Sequence, residues 1–465
     1  MGSADISLRK VGARAILHGH HHHTATPIME NPGYARRLTL MDAALIVVGG
    51  IIGGGIFLNP GIAAQRTDSG LILLGLWVAG GLLTLVGCLC YAELGARRPE
   101  AGGSYVYLRE AFGRLAGFLF GWTMLLVIYS GSAAAVATIF GSYATSVFGL
   151  SPTLVKPLAA GALVFVTGIN LFGIRLGAQI QNVFAILKLT AIAVLVVTGL
   201  AFAGAGTTQA LAASASPPSG NLAGALLPVL FAFSGFAYLN NLAGEVREPQ
   251  KTLPRALVLG MLVVITAYVL TNYAYLAVLG HDGLAASQAP AADVMSRVFG
   301  ASGAKIIAIG IAISTLGFCN ITLVAGARVL QVMGEDGLFF SMVSRLHPRH
   351  RTPNIALMML SGWAIFLVLV ANYGQLLDFA TFGDWAAYAV TIATLFWYRR
   401  RVNERPAFVT PAYPLLPLLF LVTVIAVVTA YAWSKPLSAG VVCLVVLAGL
   451  PVYAVWRRLF SQVAR

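Results

Sequence analysis

The stretch VGGIIGGGIFLNPG, residues 48–61, decides the fold. Six of its fourteen residues are glycine: Gly49, Gly50, Gly53, Gly54, Gly55 and Gly61. Each interior glycine costs a helix roughly 0.8–1 kcal/mol relative to alanine, yet the stretch sits inside an apolar run that begins near Leu40. Two readings are open. The spacings Gly49–Gly53 and Gly50–Gly54 are of the GxxxG type that packs membrane helices closely. The same glycines can also break a helix at its centre.

The composition sets the solvent. The chain of 465 residues is 58% hydrophobic and 10% charged, against about 25% charged in ordinary soluble domains. Runs of about 20 apolar residues read as membrane helices. Such runs fall at 40–62, 71–95, 114–147, 153–172, 178–203, 222–245, 254–280, 302–332, 353–372, 376–398, 413–432 and 437–456, twelve in all. The expected class is an all-α polytopic membrane protein. No cleavable signal peptide is expected, because no short apolar region precedes the first span.

Charge supports the count. With the N-terminus inside, only Arg66, Lys156, Arg297, Lys305 and Lys435 of the 30 Lys and Arg residues fall outside. Lys188 alone lies within a span, and all the others face the cytoplasm, as the positive-inside rule requires. The net charge of +14 thus faces anionic membrane lipids rather than a nucleic acid. Both termini are expected in the cytoplasm, and the setting expected is a bacterial inner membrane. The leader, residues 1–35, carries HGHHHH at 18–23. It reads as a disordered tail or an expression tag, with a native metal site as the alternative. Cys88, Cys90, Cys319 and Cys443 lie in apolar spans and read as buried packing residues, with no metal, cofactor or disulfide.

The first span is not alone. The sixth, 222–245, carries Ser234-Gly235 amid aromatic residues, with Pro228 before them and Asn240-Asn241 after. Interrupted spans at positions one and six suggest two five-span halves, 36–203 and 222–400. An external loop, 204–221, joins them, and two further helices with the tail fill 401–465. Paired interrupted spans of this kind mark the binding site of transporters with inverted repeats. A break inside a membrane frees backbone groups at several kcal/mol each. Free amides at a half-helix N-terminus attract an anion, and free carbonyls at the other end attract a cation. An α-amino acid carries both charges on one carbon.

Four stretches carry a family resemblance: VGGIIGGGIFLNPG, AELGARRPEAGGSYVYLREAFGRLAGFLFGW (92–122), LFAFSGFAYLNNLAGEVREPQKTLPRAL (230–257) and GEDGLFFSMVSRLHPRHRTPNIAL (334–357). They resemble the amino acid–polyamine–organocation superfamily, in particular bacterial relatives of its L-type amino acid transporter branch. The resemblance implies a leucine-transporter-type fold of 5+5 inverted repeats plus two C-terminal helices. It implies that the amides of Gly53, Gly54 and Gly55 bind the substrate carboxylate. It places the ammonium on the carbonyls of Ile51, Ile52, Phe231, Ala232 and Ser234, with Phe231 as outer gate. Phe233 and Gly235 join the gate and side-chain pocket; Tyr129 and Ser130 of span three either line that pocket or pack the helix. Relatives often carry a small polar residue where Gly54 stands, so the carboxylate here has backbone alone. The external loop 149–157 has no cysteine, so no disulfide-linked partner chain is expected.

Lys188 lies about 15 Å into span five at helical rise, where a lysine costs about 2.5–3.5 kcal/mol. Snorkelling to the inner interface is one reading. In the resembling family a lysine here occupies the place of a sodium ion, which implies sodium-independent transport, with Ser314 and Thr315 of span eight as its hydroxyl partners. No Asp or Glu lies mid-span in spans one, three, six or eight. Glu93 and Glu245, near Arg97, Arg98 and Arg247, form an inner gate or are solvated end charges. Asp384, in the outer part of span ten, reaches the outer vestibule or serves as a proton site. The expectation is a secondary active transporter of small neutral L-amino acids, by exchange or proton symport, with no catalytic residues. The alternative is a non-transporting amino acid sensor on the same fold.

Overall fold

The computed structural model describes residues 34–203 and 222–460. The leader up to residue 33 and the expected external loop 204–221 lie outside the described residues. Every extended element of the described chain is a helix. The first span is two helices, α1 (Leu40–Ile51) and α2 (Gly55–Ala64). There follow α3 (Gly70–Arg97), α4 (Ser104–Phe112), α5 (Arg114–Thr123), a π-helical turn over Met124–Ile128, α6 (Tyr129–Phe148), α7 (Val155–Leu171) and α8 (Ile174–Ala203). The second part holds α9 (Leu222–Ala232), the single turn α10 (Tyr238–Asn241), α11 (Pro249–Ala286), α12 (Pro290–Glu335), α13 (Asn354–Val370), α14 (Tyr373–Arg401), α15 (Leu415–Ser434) and α16 (Pro436–Phe460).

Local sequence explains where these helices start and bend. Thr39 caps α1 reciprocally with Asp42, each bonding the other's backbone N–H, which satisfies two donors that a helix start leaves orphaned. Kinks at Gly280 (φ 71°) and Gly300 (φ 64°) divide α11 and α12, close to the ends read from the sequence at 280 and 302. Among the described residues nine helical stretches are long and apolar enough to cross a membrane, and α1 with α2, bent by 43°, makes a tenth if the pair is one span. The protein is therefore an integral membrane protein. The remaining two expected spans are α13, apolar but 17 residues long, and 222–245, where α9 stops at its break after 11 residues.

The broken helices sit at the centre of the packing. α1 packs on α8 and α11, α2 on α9, and α12 runs against α6 and α8. Glycines let the backbones approach: α11 meets α1 where Gly260 faces Val47. Cys88, Cys90 and Cys319 are buried as expected of packing residues, but Cys443 is exposed on a helix that buries little of itself. A bilayer-facing surface accepts a small apolar side chain as readily as a core does.

At the helix ends the charges pair differently from their sequence neighbourhoods. Glu93 is fully buried and takes Arg97 at 2.8 Å, Arg399 at 2.5 Å and the Thr410 amide at 2.8 Å. Arg98 turns instead to Glu110 at 2.6 Å. Glu245 pairs with the buried Arg328 of α12 at 2.7 Å, not with Arg247. Removing one partner of a buried pair costs about 3–5 kcal/mol, whereas exposed pairs contribute about 0–1 kcal/mol. Glu93→Ala is therefore expected to lower the thermal unfolding midpoint of the detergent-solubilised protein markedly. Arg98→Ala, whose pair is a quarter exposed, is expected to shift it little. Equal shifts would show that the Glu93 cluster does not tie α3 to α14.

Candidate functional site

The site is built where two helices end in mid-core. α1 stops at Ile51, and Ile52 is extended (φ −74°, ψ 96°). Gly53 and Gly54 are outside either helix, and α2 begins at Gly55. Among the described residues nothing accepts from the amides of Gly53, Gly54 or Gly55. They are the free donors of a half-helix N-terminus, which the helix dipole makes attractive to an anion. Phe318 lies against Gly53 and Ile139 against Gly54.

The second break meets the first backbone to backbone. Gly235 has φ +94°, and a Cβ built on it would stand 2.1 Å from the Gly50 carbonyl oxygen. Gly50 in turn lies against the Gly235 carbonyl and the Tyr238 ring. Gly55 packs on the Ala232 backbone. The Tyr268 hydroxyl of α11 lies 3.3 Å from the Ile51 carbonyl oxygen and 3.0 Å from that of Ala232, so it can donate to either end of the two breaks. The Phe231 carbonyl accepts from the Ser234 amide and hydroxyl.

Lys188 is fully buried. Its Nζ donates to the carbonyls of Gly49 at 3.1 Å and Ile52 at 2.5 Å, so it points to the first break rather than to the inner interface. A buried ammonium without partners is costly; the carbonyls that the unwinding frees supply them. Ser314 donates to the Gly53 carbonyl at 3.3 Å. The Thr315 hydroxyl bonds the Ala312 carbonyl of its own helix. The structure thus brings Lys188 and Ser314 to the same break and leaves the Thr315 hydroxyl on α12.

The remaining candidates spread around this centre. Phe231 is half-buried and lines a cavity of about 300 Å³ with Asn59, Arg66, Asp378, Thr381 and Lys435. Phe233 is buried against Trp77 and Tyr268, with ring centroids 5.8 and 5.0 Å away. The Tyr129 hydroxyl accepts from Asn241 at 2.5 Å. Ser130 donates to the Leu125 carbonyl in the π-helical turn of its own span. Asp384 is buried; its carboxylate accepts from Tyr388 at 3.1 Å, and the Tyr388 oxygen accepts the Gly235 amide at 2.9 Å.

Sequence reasoning did not single out Tyr268, Tyr388 or Phe318. A buried tyrosine needs a partner for its hydroxyl, which flags a mid-span tyrosine as a contact to polar backbone. It does not say which of 16 tyrosines reaches a break.

Residues 38–453 match the family described as amino acid permease. The chain is 32% identical to the serine/threonine exchanger SteT of Bacillus subtilis (strain 168), over 91% of this chain and 97% of that protein. It is 33% identical to the b(0,+)-type amino acid transporter 1 of Mus musculus, over 90% of this chain and 87% of that one. It is 32% identical to the Asc-type amino acid transporter 1 of Homo sapiens, over 91% of this chain and 83% of that one.

The Gly50–Gly235 contact is testable. Alanine at 235 must hold a left-handed backbone, at roughly 1–2 kcal/mol, and also displace the Gly50 carbonyl. Gly235→Ala is expected to lower the unfolding midpoint and abolish uptake. Gly362→Ala, where a Cβ meets nothing within 4 Å, is expected to leave both intact. Wild-type melting and uptake in Gly235→Ala would show that the breaks do not depend on each other.

Proposed function

The chain belongs to the amino acid permease family, and we propose that it is a secondary active transporter of small neutral L-amino acids, working by alternating access without sodium. It is a permease and not an enzyme. The observation that carries the substrate class is the pairing of the two breaks. The amides of Gly53–Gly55 have no partner among the described residues, and Gly55 packs on the Ala232 backbone; in this reading the carbonyls of Ile51, Ile52, Phe231, Ala232 and Ser234 take the ammonium. The two sets suit the carboxylate and the ammonium of one zwitterion, and Phe231 stands between them and the outer cavity.

Lys188 fills the place of a metal cation in this reading. Its ammonium neutralises the carbonyl end of α1 with Ser314 nearby, while the Thr315 hydroxyl stays on its own helix. A fixed charge there removes the need for sodium. The side chain of the substrate falls among Tyr129, Ser130, Phe233 and Gly235; among the described residues no lysine or arginine pairs there, and the one acid nearby, Asp384, is held behind Tyr388, which favours a neutral side chain. The serine/threonine exchanger among the relatives agrees with a small one.

The architecture proposed is twelve spans with both termini cytoplasmic, in a bacterial inner membrane. Residues 36–203 and 222–400 form the inverted halves, and 401–465 carry the last two helices and the tail. On the inner side the segment before α1 pairs with the segment after α10: Leu38 and Arg37 amides reach the Glu245 carbonyl, and Arg247 reaches Leu38. The buried Glu245–Arg328 pair lies beside them. Inward opening requires this junction to part.

Counterflow in proteoliposomes tests the function. Unlabelled neutral amino acid inside is expected to accelerate entry of the labelled one, with sodium gradients having no effect. No counterflow with any neutral amino acid would reject the substrate class, and sodium stimulation would reject the role of Lys188. Gly54→Leu is expected to abolish counterflow, because a Cβ at 54 already stands 2.5 Å from Ile139 Cδ1 and the larger side chain must displace that wall of the amides. Unchanged kinetics in that variant would put the carboxylate elsewhere.

A further inference from the structure

Asp384 stands out among the acidic groups that the function does not use. It lies roughly 16 Å along α14 from the first residue of that helix, near the midplane of a hydrocarbon core about 30 Å thick. It is 3% exposed. Among the described residues no lysine or arginine pairs with it. The groups that face it are phenols and a hydroxyl: Tyr388 on its own helix, Tyr91 of α3, Tyr129 of α6, Tyr238 of α10, and Ser234 at the break. The nearest ion pairs on α14 are at its two ends. Asp378 is taken by Lys435 at 3.3 Å, and Arg399 by Glu93 at 2.5 Å. Lys188 is engaged by the carbonyls of Gly49 and Ile52.

An ionised carboxylate so enclosed carries a desolvation cost of several kcal/mol, which the Tyr388 and Ser234 hydroxyls offset in part and no cation among the described residues offsets. The group needs a cation at some stage of the cycle. The outer cavity is lined by Thr381 but not by Asp384, one helical turn further in. A proton crosses that turn without needing room for a coordination shell.

What makes the site more than a buried acid is its connection. Tyr388 donates to Asp384 while its oxygen accepts the Gly235 amide, and Gly235 rests on the Gly50 carbonyl. With Asp384 ionised, every donor in this row points toward it. With Asp384 protonated, the acid becomes a donor to the Tyr388 oxygen and competes with the Gly235 amide. The protonation state of α14 is thereby transmitted to the contact between the two breaks.

We propose that Asp384 is the proton-carrying group of this transporter, taking a proton from the outer side and passing its state through Tyr388 to the Gly235–Gly50 contact, so that substrate entry is coupled to proton entry. This rests on the amino acid transport reading above. For one proton per substrate, a one-unit pH gradient, acid outside, sustains up to about tenfold accumulation.

The test uses the full chain in proteoliposomes, with counterflow and gradient-driven uptake measured separately. Wild type is expected to accumulate labelled neutral amino acid under an acid-outside gradient. Asp384→Asn is expected to retain counterflow and lose that accumulation, and Asp384→Glu to keep accumulation with a displaced pH profile. Counterflow without gradient-driven accumulation in wild type overturns the proton role and leaves the transport reading intact; absence of counterflow in wild type fails that reading itself. Gradient-driven accumulation surviving in Asp384→Asn overturns the assignment. If Asp384→Asn does not fold, Asp384→Glu decides: an unchanged pH profile overturns the proposal. Tyr388→Phe, which keeps the acid but cuts its link to Gly235, is expected to leak protons without driving uptake; full coupling in that variant removes the relay. Exchange of lysine by wild type that is lost only in Asp384→Asn overturns the proposal by showing that the acid serves a cationic side chain.

Discussion

Everything at the centre of this protein depends on backbone polar groups that have no water to bond. Two helices stop in the middle of an apolar medium, and each stop frees donors and acceptors whose isolation there costs several kcal/mol each. The protein distributes partners unevenly. Carbonyls are met by fixed groups: Lys188 at Gly49 and Ile52, Tyr268 at Ile51 and Ala232, Ser314 at Gly53. The amides of Gly53–Gly55 are met by none among the described residues. A break that were merely a structural defect would be expected to satisfy both ends alike.

The same economy of groups explains why glycine is so dense in residues 48–61. The GxxxG reading and the break reading describe different glycines of one stretch. Gly49 gives room to Gln181, and Gly50 to Gly235 and Tyr238; these pack. Gly53 and Gly54 lie outside both helices; these break. Close approach is what allows one hydroxyl, that of Tyr268, to reach both breaks, so packing and unwinding support each other.

Legibility from sequence followed the range of the interaction. Both interruptions, the lone mid-span cation and the helix ends near Gly280 and Gly300 are local patterns of composition, and each can be read off the chain. The partners are not local. Glu245 has Arg247 two residues away, yet it pairs with Arg328, 83 positions on. Glu93 reaches Arg399 across 306 positions. Tyr268 and Tyr388 look like any other membrane tyrosine until α11 and α14 are packed against the breaks. Ser314 and Thr315 show the limit at single-residue scale: neighbours on a helix point about 100° apart, and only one hydroxyl finds the first break.

Recognition by backbone has a consequence for selectivity. In the proposed function, amides and carbonyls at the breaks meet the carboxylate and ammonium that every α-amino acid shares, so they would confer class and not identity. Identity must come from side chains that approach the α-carbon from outside the breaks. Two of these, Phe318 on Gly53 and Ile139 on Gly54, are apolar and belong to α12 and α6, which are regular helix where these residues stand. In the proposed function this division separates two tasks physically: the broken helices would hold the invariant part of the ligand, and α6 and α12 would shape the variable part. Substrate preference can then change by substitution on α6 or α12 without disturbing the backbone contacts on which the breaks rest.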